Sequence, residues 1–294
     1  MRYVTFADRS GSSHFGVIEG DSIRSSSAVE SFDDFVALDP GSRKKVLDGL
    51  DGRFALGDVT LKSPLHPRKN VFCVGRNYLE HAKEGERARG GSDETLKLPD
   101  VPTFFTKAPT SIVAPGQTIE LDGSLSPQYD WEAELAIVIG ERCRDVDEAR
   151  ALEVVFGYTC LNDVTARDLQ RSHLQWFKGK SLDNSCPIGP WVVDAADIGD
   201  PQTLDIALRV NGVVKQHSNT ANMIFSCAKI IASLSRGLTL EPGDVIASGT
   251  PEGVGFARVP PEFLKDGDVM EVELAKIGVL RTAVRIGVPA GVAR

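Results

Sequence analysis

Trp131-Glu132-Ala133-Glu134-Leu135-Ala136-Ile137-Val138-Ile139-Gly140 sets two glutamates at the mouth of an unbroken apolar run. Apolar residues fill both parities after Glu134, the pattern of a strand covered on both faces. Side chains two apart on a strand point the same way, roughly 7 Å apart along the backbone. Two carboxylates are therefore aimed together into a place where charge is expensive, and without a partner such a pair is destabilising or takes up protons. A hard divalent cation relieves that, and carboxylate oxygens are what Mg²⁺ or Mn²⁺ prefers. Taken alone, the pair also reads as a strand end where both glutamates reach water or meet Arg or Lys.

Outward from this stretch the chain is mostly strands. They are expected at Asn70 to Val74, Ser111 to Val113, 154–161, 191–193, 204–210 and 269–274. Helical patterns begin near Tyr78, follow Asp163, and run from Met223 to Ser235. Residues 85–102, rich in Gly and charge with Pro99 and Pro102, read as a long, mobile loop of the kind that serves as a lid. Residues 1–65 read as a separate small unit, with short strands at 3–6 and 15–23 and a helical stretch from Ser31 to Leu50 broken at Asp39-Pro40-Gly41; Ser63-Pro64-Leu65-His66-Pro67 marks the linker to residues 66–294. The fold class is α+β, mainly β.

Composition removes several function classes. A net charge of −8 with no basic block argues against a nucleic-acid partner. No apolar stretch approaches the roughly 20 residues of a membrane span, and the first residues lack the apolar core of a secretory signal. Five scattered cysteines without a C-x-x-C fit reduced thiols in a cytoplasmic protein and support neither a zinc ribbon nor a redox motif. No G-x-S-x-G elbow and no H-x-x-x-H pair occurs.

A third acid, Asp163, closes the apolar strand Val154 to Asn162 just before a helical pattern. With Glu132 and Glu134 it makes a three-carboxylate face that leaves about three of six octahedral positions open for water and substrate; alone it is equally a helix N-cap. His81 and Glu84 are neighbours at i and i+3 on a helix, and a carboxylate beside an imidazole suits a general base, although such a pair is also common on surfaces. Lys180 lies in a Gly-Lys-Ser triplet that is no P-loop, since position 174 is Leu; beside buried acids it would stabilise an enolate. The turn Ser248-Gly249-Thr250-Pro251-Glu252-Gly253-Val254-Gly255 offers backbone N–H groups and the Thr250 hydroxyl to a carboxylate, or is an ordinary tight loop.

Five motifs in order, Gly75-Arg76-Asn77-Tyr78 with His81 and Glu84, Trp131 to Glu134, Leu161 to Asp168, Gly179-Lys180-Ser181 and Gly249 to Gly255, resemble the fumarylacetoacetate hydrolase family over about residues 66–285. The resemblance implies a catalytic domain of packed, rolled β-sheets behind a small β-rich N-terminal domain, usually as a homodimer. It implies Mg²⁺ or Mn²⁺ on Glu132, Glu134 and Asp163, a water-activating His81–Glu84 dyad on a lid helix, and Lys180, Arg76, Lys107, Gln170 and Thr250 lining a 2-oxo-acid substrate. The expected reaction is hydrolysis of a C–C bond in an acylpyruvate or fumarylpyruvate to pyruvate and a carboxylic acid. The alternatives are oxaloacetate decarboxylation, isomerisation or hydration of a 2-hydroxydienoate of aromatic catabolism, and, in a different class, a non-catalytic 2-oxo-acid-binding protein.

Overall fold

The computed structural model describes residues 1–287; the end of the expected second segment, 288–294, lies outside them. Among these residues a large mixed sheet runs in the order Gly52–Ala55, Ser22–Ser26, Ser13–Glu19, Arg2–Ala7, Cys186–Asp194, Val155–Asn162, Ala133–Ile139, Val245–Ala247, Val71–Gly75 and Thr103–Lys107. A five-stranded sheet, Val213–Asn219, Asp205–Val210, Val269–Leu274, Gly278–Gly287 and Thr118–Asp122, packs against it. No helix of the described residues is long and apolar enough to cross a membrane.

The strand Ala133–Ile139 is buried along its whole length, as its two-parity pattern requires. Ala133, Leu135, Ile137 and Ile139 face the core between the sheets, with Ile206, Leu208, Val272 and Ile230. Ala136 and Val138 face the opposite core, with Val71, Leu161 and Ile188. Glu132 and Glu134 continue that second face. The antiparallel register Ala133↔Asn162 then brings the end of the neighbouring strand beside them, and the Asp163 N–H donates to the Glu132 carbonyl at 2.9 Å.

Residues 1–65 share both sheet and core with residues 66–287. Arg2 and Tyr3 pair with Val193 and Val192. Tyr3, Phe15, Phe32 and Phe35 belong to the same core as Val138 and Leu161, and Phe156 lies 5.0 Å from Tyr3 and 5.1 Å from Phe32, ring to ring. The expected break at Asp39-Pro40-Gly41 separates two helices, Phe32–Ala37 and Pro40–Asp48, the second capped by Asp39.

Two expected boundaries move. The helix expected from Met223 begins only at Cys227, because Ile224 and Phe225 are held extended against Asn77: the Ile224 N–H donates to the Asn77 carbonyl, and Asn77 Oδ1 accepts from Phe225 N–H, each at 2.7 Å. The helix after Tyr78 runs from Leu79 to Ala88, beyond the start of the stretch read as loop, and Arg87 paired with Asp93 folds the following turn back onto it.

Candidate active site

The carboxylates meet as the strand register demands. One oxygen from each of Glu132, Glu134 and Asp163 can be chosen so that all lie within 4.8 Å of one another, and all three side chains are buried. Three cations are packed against them. Lys180 Nζ donates to Glu132 Oε2 and Asp163 Oδ2, each at 2.7 Å. Arg167 donates to Glu132 Oε1 at 2.6 Å and to Asp130 Oδ1 at 2.6 Å. Lys107 Nζ stands 2.8 Å from Asp163 Oδ1.

The neutralisation is uneven. Burial acts upward on Glu132, but Lys180 and Arg167 outweigh it and hold that carboxyl below the ordinary range. Glu134 has one hydrogen bond, from the Gly249 N–H at 2.8 Å, and burial together with Asp163 and Glu132 pushes its carboxyl well above the ordinary range. For Lys180 burial acts downward and is overcome by Asp163 and Glu132, which fix the ammonium as charged.

These residues fit a divalent cation. Asp163 Oδ1 has no aligned hydrogen bond although it is buried, so a lone pair is left for another partner. The donor set is oxygen only, which suits Mg²⁺ or Mn²⁺ and not a thiolate-seeking metal. A cation on Glu132, Glu134 and Asp163 would also relieve the Glu134 charge, which Lys180 offsets only in part and no side chain hydrogen-bonds.

A cavity of about 390 Å³ opens over the cluster, lined by Glu132, Glu134, Lys180, His81, Arg76, Gln170 and Thr250 among others. His81 and Glu84 pair through Nδ1 and Oε1 at 2.9 Å, and Glu84 Oε2 accepts from the Gly253 N–H at 2.8 Å. The glycine-rich turn therefore holds carboxylates as expected, but they are the protein's own Glu134 and Glu84 rather than a substrate's. Gly253 has φ +99°, and a Cβ there would overlap the Lys215 carbonyl.

Residues 70–285 match the family model described as fumarylacetoacetate (FAA) hydrolase C-terminal. The chain belongs to the fumarylacetoacetate hydrolase family. It is 42% identical to an oxaloacetate tautomerase of Bacillus subtilis over 77% of this chain and 73% of that protein. Among solved structures it resembles a fumarylacetoacetate hydrolase from Exiguobacterium antarcticum, 40% identical with a TM-score of 0.83 over 98% of this chain and 100% of the other. It also resembles a 2-hydroxyhepta-2,4-diene-1,7-dioate isomerase from Mycobacterium marinum, 34% identical with a TM-score of 0.78 over 97% of this chain and 98% of the other.

One residue expected to line the substrate in this family member is placed elsewhere. Lys107 is fully buried behind Asp163 and away from the cavity, donating to the Lys180 carbonyl, to Ser185 Oγ at 3.1 Å and to the Val164 carbonyl at 3.3 Å. It stands against Asp163 and is not among the residues that line the cavity. Arg167 was not expected in the site. A run of Asp130, Glu132 and Glu134 on one buried segment needs cations, and that need, followed to the nearest arginine beyond Asp163, is the signal that points to it. Gln216 was also missed: it binds Ala133 N–H through Oε1 at 2.9 Å and Thr250 Oγ1 through Nε2 at 2.8 Å, steadying the cluster strand and the turn at once.

Proposed function

We propose that this protein is a metal-dependent tautomerase that interconverts the keto and enol forms of a small 2-oxo acid of the oxaloacetate kind. The observation that carries the reading is the His81–Glu84 pair facing a buried carboxylate cluster with Lys180, in a chain 42% identical to a protein named as an oxaloacetate tautomerase. The isomerase name of the Mycobacterium marinum neighbour supports the same side of the alternatives over acylpyruvate hydrolysis.

A carboxylate only accepts hydrogen bonds, so the proton between His81 and Glu84 belongs to Nδ1 and the Nε2 lone pair is left for the cavity. In the proposed reaction Nε2 takes a proton from C3 of the keto acid and delivers it to O2; one C–H bond breaks, one O–H bond forms, and His81 ends as it began. Lys180 keeps two of its three N–H donors on Glu132 and Asp163 and turns the third to O2, where negative charge develops. Thr250 Oγ1 already accepts from Gln216, which frees its own O–H to orient the substrate. A divalent cation on Glu132, Glu134 and Asp163 would polarise the 2-oxo carbonyl.

The test is to mix the Mg²⁺-loaded protein with oxaloacetate, follow the enol by ultraviolet absorbance and the products by NMR, and repeat with acetylpyruvate and fumarylpyruvate. Accelerated keto–enol exchange without pyruvate release is expected. Pyruvate from oxaloacetate would make the protein a decarboxylase, and pyruvate with acetate or fumarate would make it a hydrolase; either result overturns the tautomerase reading.

A further inference from the structure

Trp176 opens the short helix Phe177–Lys180, and the Lys180 N–H donates to the Trp176 carbonyl at 3.1 Å. Residues four apart on a helix share a face, and both side chains line the cavity. Lys180 marks the reacting end, since its ammonium is bound to Glu132 and Asp163. Trp176 stands one turn away along the same wall, about 6 Å at a rise of about 1.5 Å per residue.

The indole is held there by shape. Its six-membered ring packs on the backbone of Gly75, where a Cβ would lie 2.3 Å from Cζ3. The Phe105 ring meets it edge-on at 5.4 Å, and the Arg76 guanidinium lies 5.7 Å from its centre. Phe105 is also 5.2 Å from Lys180 Nζ and so closes the wall between the two. Trp131 donates its indole N–H to the Gly253 carbonyl at 3.1 Å, and Trp191 donates to the Ile277 carbonyl at 2.8 Å. Among the described residues the Trp176 N–H has no such partner, so trimming this ring orphans no acceptor. Its neighbours in the chain, Leu174 and Phe177, are exposed, so the loop around it opens to solvent and not to core.

A fixed ring one helical turn from the reacting end limits length. A four-carbon acid has three C–C bonds of about 1.5 Å each and ends short of the indole, whereas a chain of six or eight carbons runs into it. Gly75 and Phe105 leave the ring no room to retreat.

We propose that Trp176 restricts this site to short ligands, of about four carbons by the helical spacing, and that removing the ring admits longer 2-oxo acids. The inference rests on the 2-oxo-acid reading for the reacting end and concerns only the length of the tail. The test uses unbranched acids of four, six and eight carbons with the Mg²⁺-loaded protein: the 2-oxo acids by deuterium uptake at C3, and the non-enolisable 2-hydroxy acids by calorimetric binding. The wild type should take the four-carbon members and lose the longer ones. Trp176→Ala should reverse the order, each added methylene tightening binding about fourfold, the effect of burying one more CH₂. Trp176→Phe should gain less, and it carries the same comparison if Trp176→Ala does not fold. A gain for longer ligands is not something a damaged fold produces, which separates a wall from a ring that only supports the structure. If no oxo acid exchanges yet the hydroxy acids show the limit and the substitution moves it, the reaction is wrong and the limit stands. A wild type that binds 2-hydroxyoctanoate as well as 2-hydroxybutanoate overturns the proposal. So does a variant that keeps its Mg²⁺-dependent Tm shift and gains nothing for the longer acids.

Discussion

Lys180 and Asp163 are joined by a 2.7 Å ion pair at the floor of the cavity, and the same ammonium reaches Glu132 at 2.7 Å. Lys180 is thus a charge counted on by two of the candidate metal ligands and, in the proposed reaction, also a donor to the substrate. Breaking a buried ion pair by removing one partner costs about 3–5 kcal/mol. Lys180→Met should lower stability of the metal-free protein by that order in denaturant unfolding. Saturating Mg²⁺ should recover most of it, because the cation supplies the missing positive charge, while exchange activity stays lost. A variant equally unstable with and without Mg²⁺ would contradict this placement of the cation.

Metal binding should be visible without any assay of turnover. A ligand that binds only the folded state adds about 2.7 kcal/mol at 100 times its Kd. Mg²⁺ or Mn²⁺ should therefore raise the Tm of the wild type by calorimetry, and Asp163→Asn or Glu134→Gln should flatten the response. A cation that shifts wild type and variants alike is binding elsewhere.

Glu134 predicts a particular pH dependence for the metal-free protein. Its folded-state pKa lies above the ordinary value of 4.5 because of burial first, then Asp163 and Glu132. A raised pKa means the folded state holds the proton more tightly, so this contribution to stability is complete below pH about 4.5 and is lost as pH rises through the raised value. Subtracting the Glu134→Gln stability curve from that of the wild type should give a difference that falls with rising pH, and Mg²⁺ should remove the slope. A difference that rises with pH would reverse the sign of the assigned shift.

The Glu84 carboxylate does two things, orienting His81 and binding the Gly253 N–H. Glu84→Gln can keep the bond to Gly253 through its oxygen while its amide N–H forces Nδ1 to accept, which moves the ring proton to Nε2. The base would then face the substrate already protonated. Activity should fall about 10²- to 10⁴-fold, the usual worth of a general base, with the Mg²⁺-dependent Tm shift intact. Two-dimensional ¹⁵N NMR of the imidazole reports the tautomer, and an unchanged tautomer with lost activity would disprove the mechanism of the loss.

Gly253 seats the same carboxylate from the other side. With φ +99° and the Lys215 carbonyl where a Cβ would be, Gly253→Ala must displace the turn. The expected result is lost activity at unchanged affinity for Mg²⁺, since Glu134 hangs on Gly249 and not on Gly253. Weakened Mg²⁺ binding would mean that the turn moves as one body.

The features that were legible in the sequence are local ones. The two-parity run after Glu134 marks its strand, Asp163 marks the end of the next, and the three-residue spacing of His81 and Glu84 survives as a real contact. The illegible ones depend on pairings made far along the chain. Val213–Asn219 buries only Gln216 and shows no apolar alternation, so nothing in it announces a strand or forecasts that Gln216 reaches Ala133 and Thr250. Thr118–Asp122 pairs in parallel with Gly278–Gly287, whose first residues come far later in the chain. Lys107 is expected as a substrate contact from the family resemblance alone, since nothing around it in the sequence marks its place; that it is walled in beside Asp163 follows only from how the strands stack.

The first 65 residues cover the edge of Cys186–Asp194 with the strand Arg2–Ala7 and the ring of Phe156 with Tyr3 and Phe32. Stripped of them, the remainder would present a row of unanswered backbone N–H and C=O groups beside a bare aromatic patch, the two surfaces that most readily recruit other chains. The N-terminal segment is in effect an interaction partner fused in cis: it occupies for good a surface that would otherwise be bound, or aggregated upon, in trans.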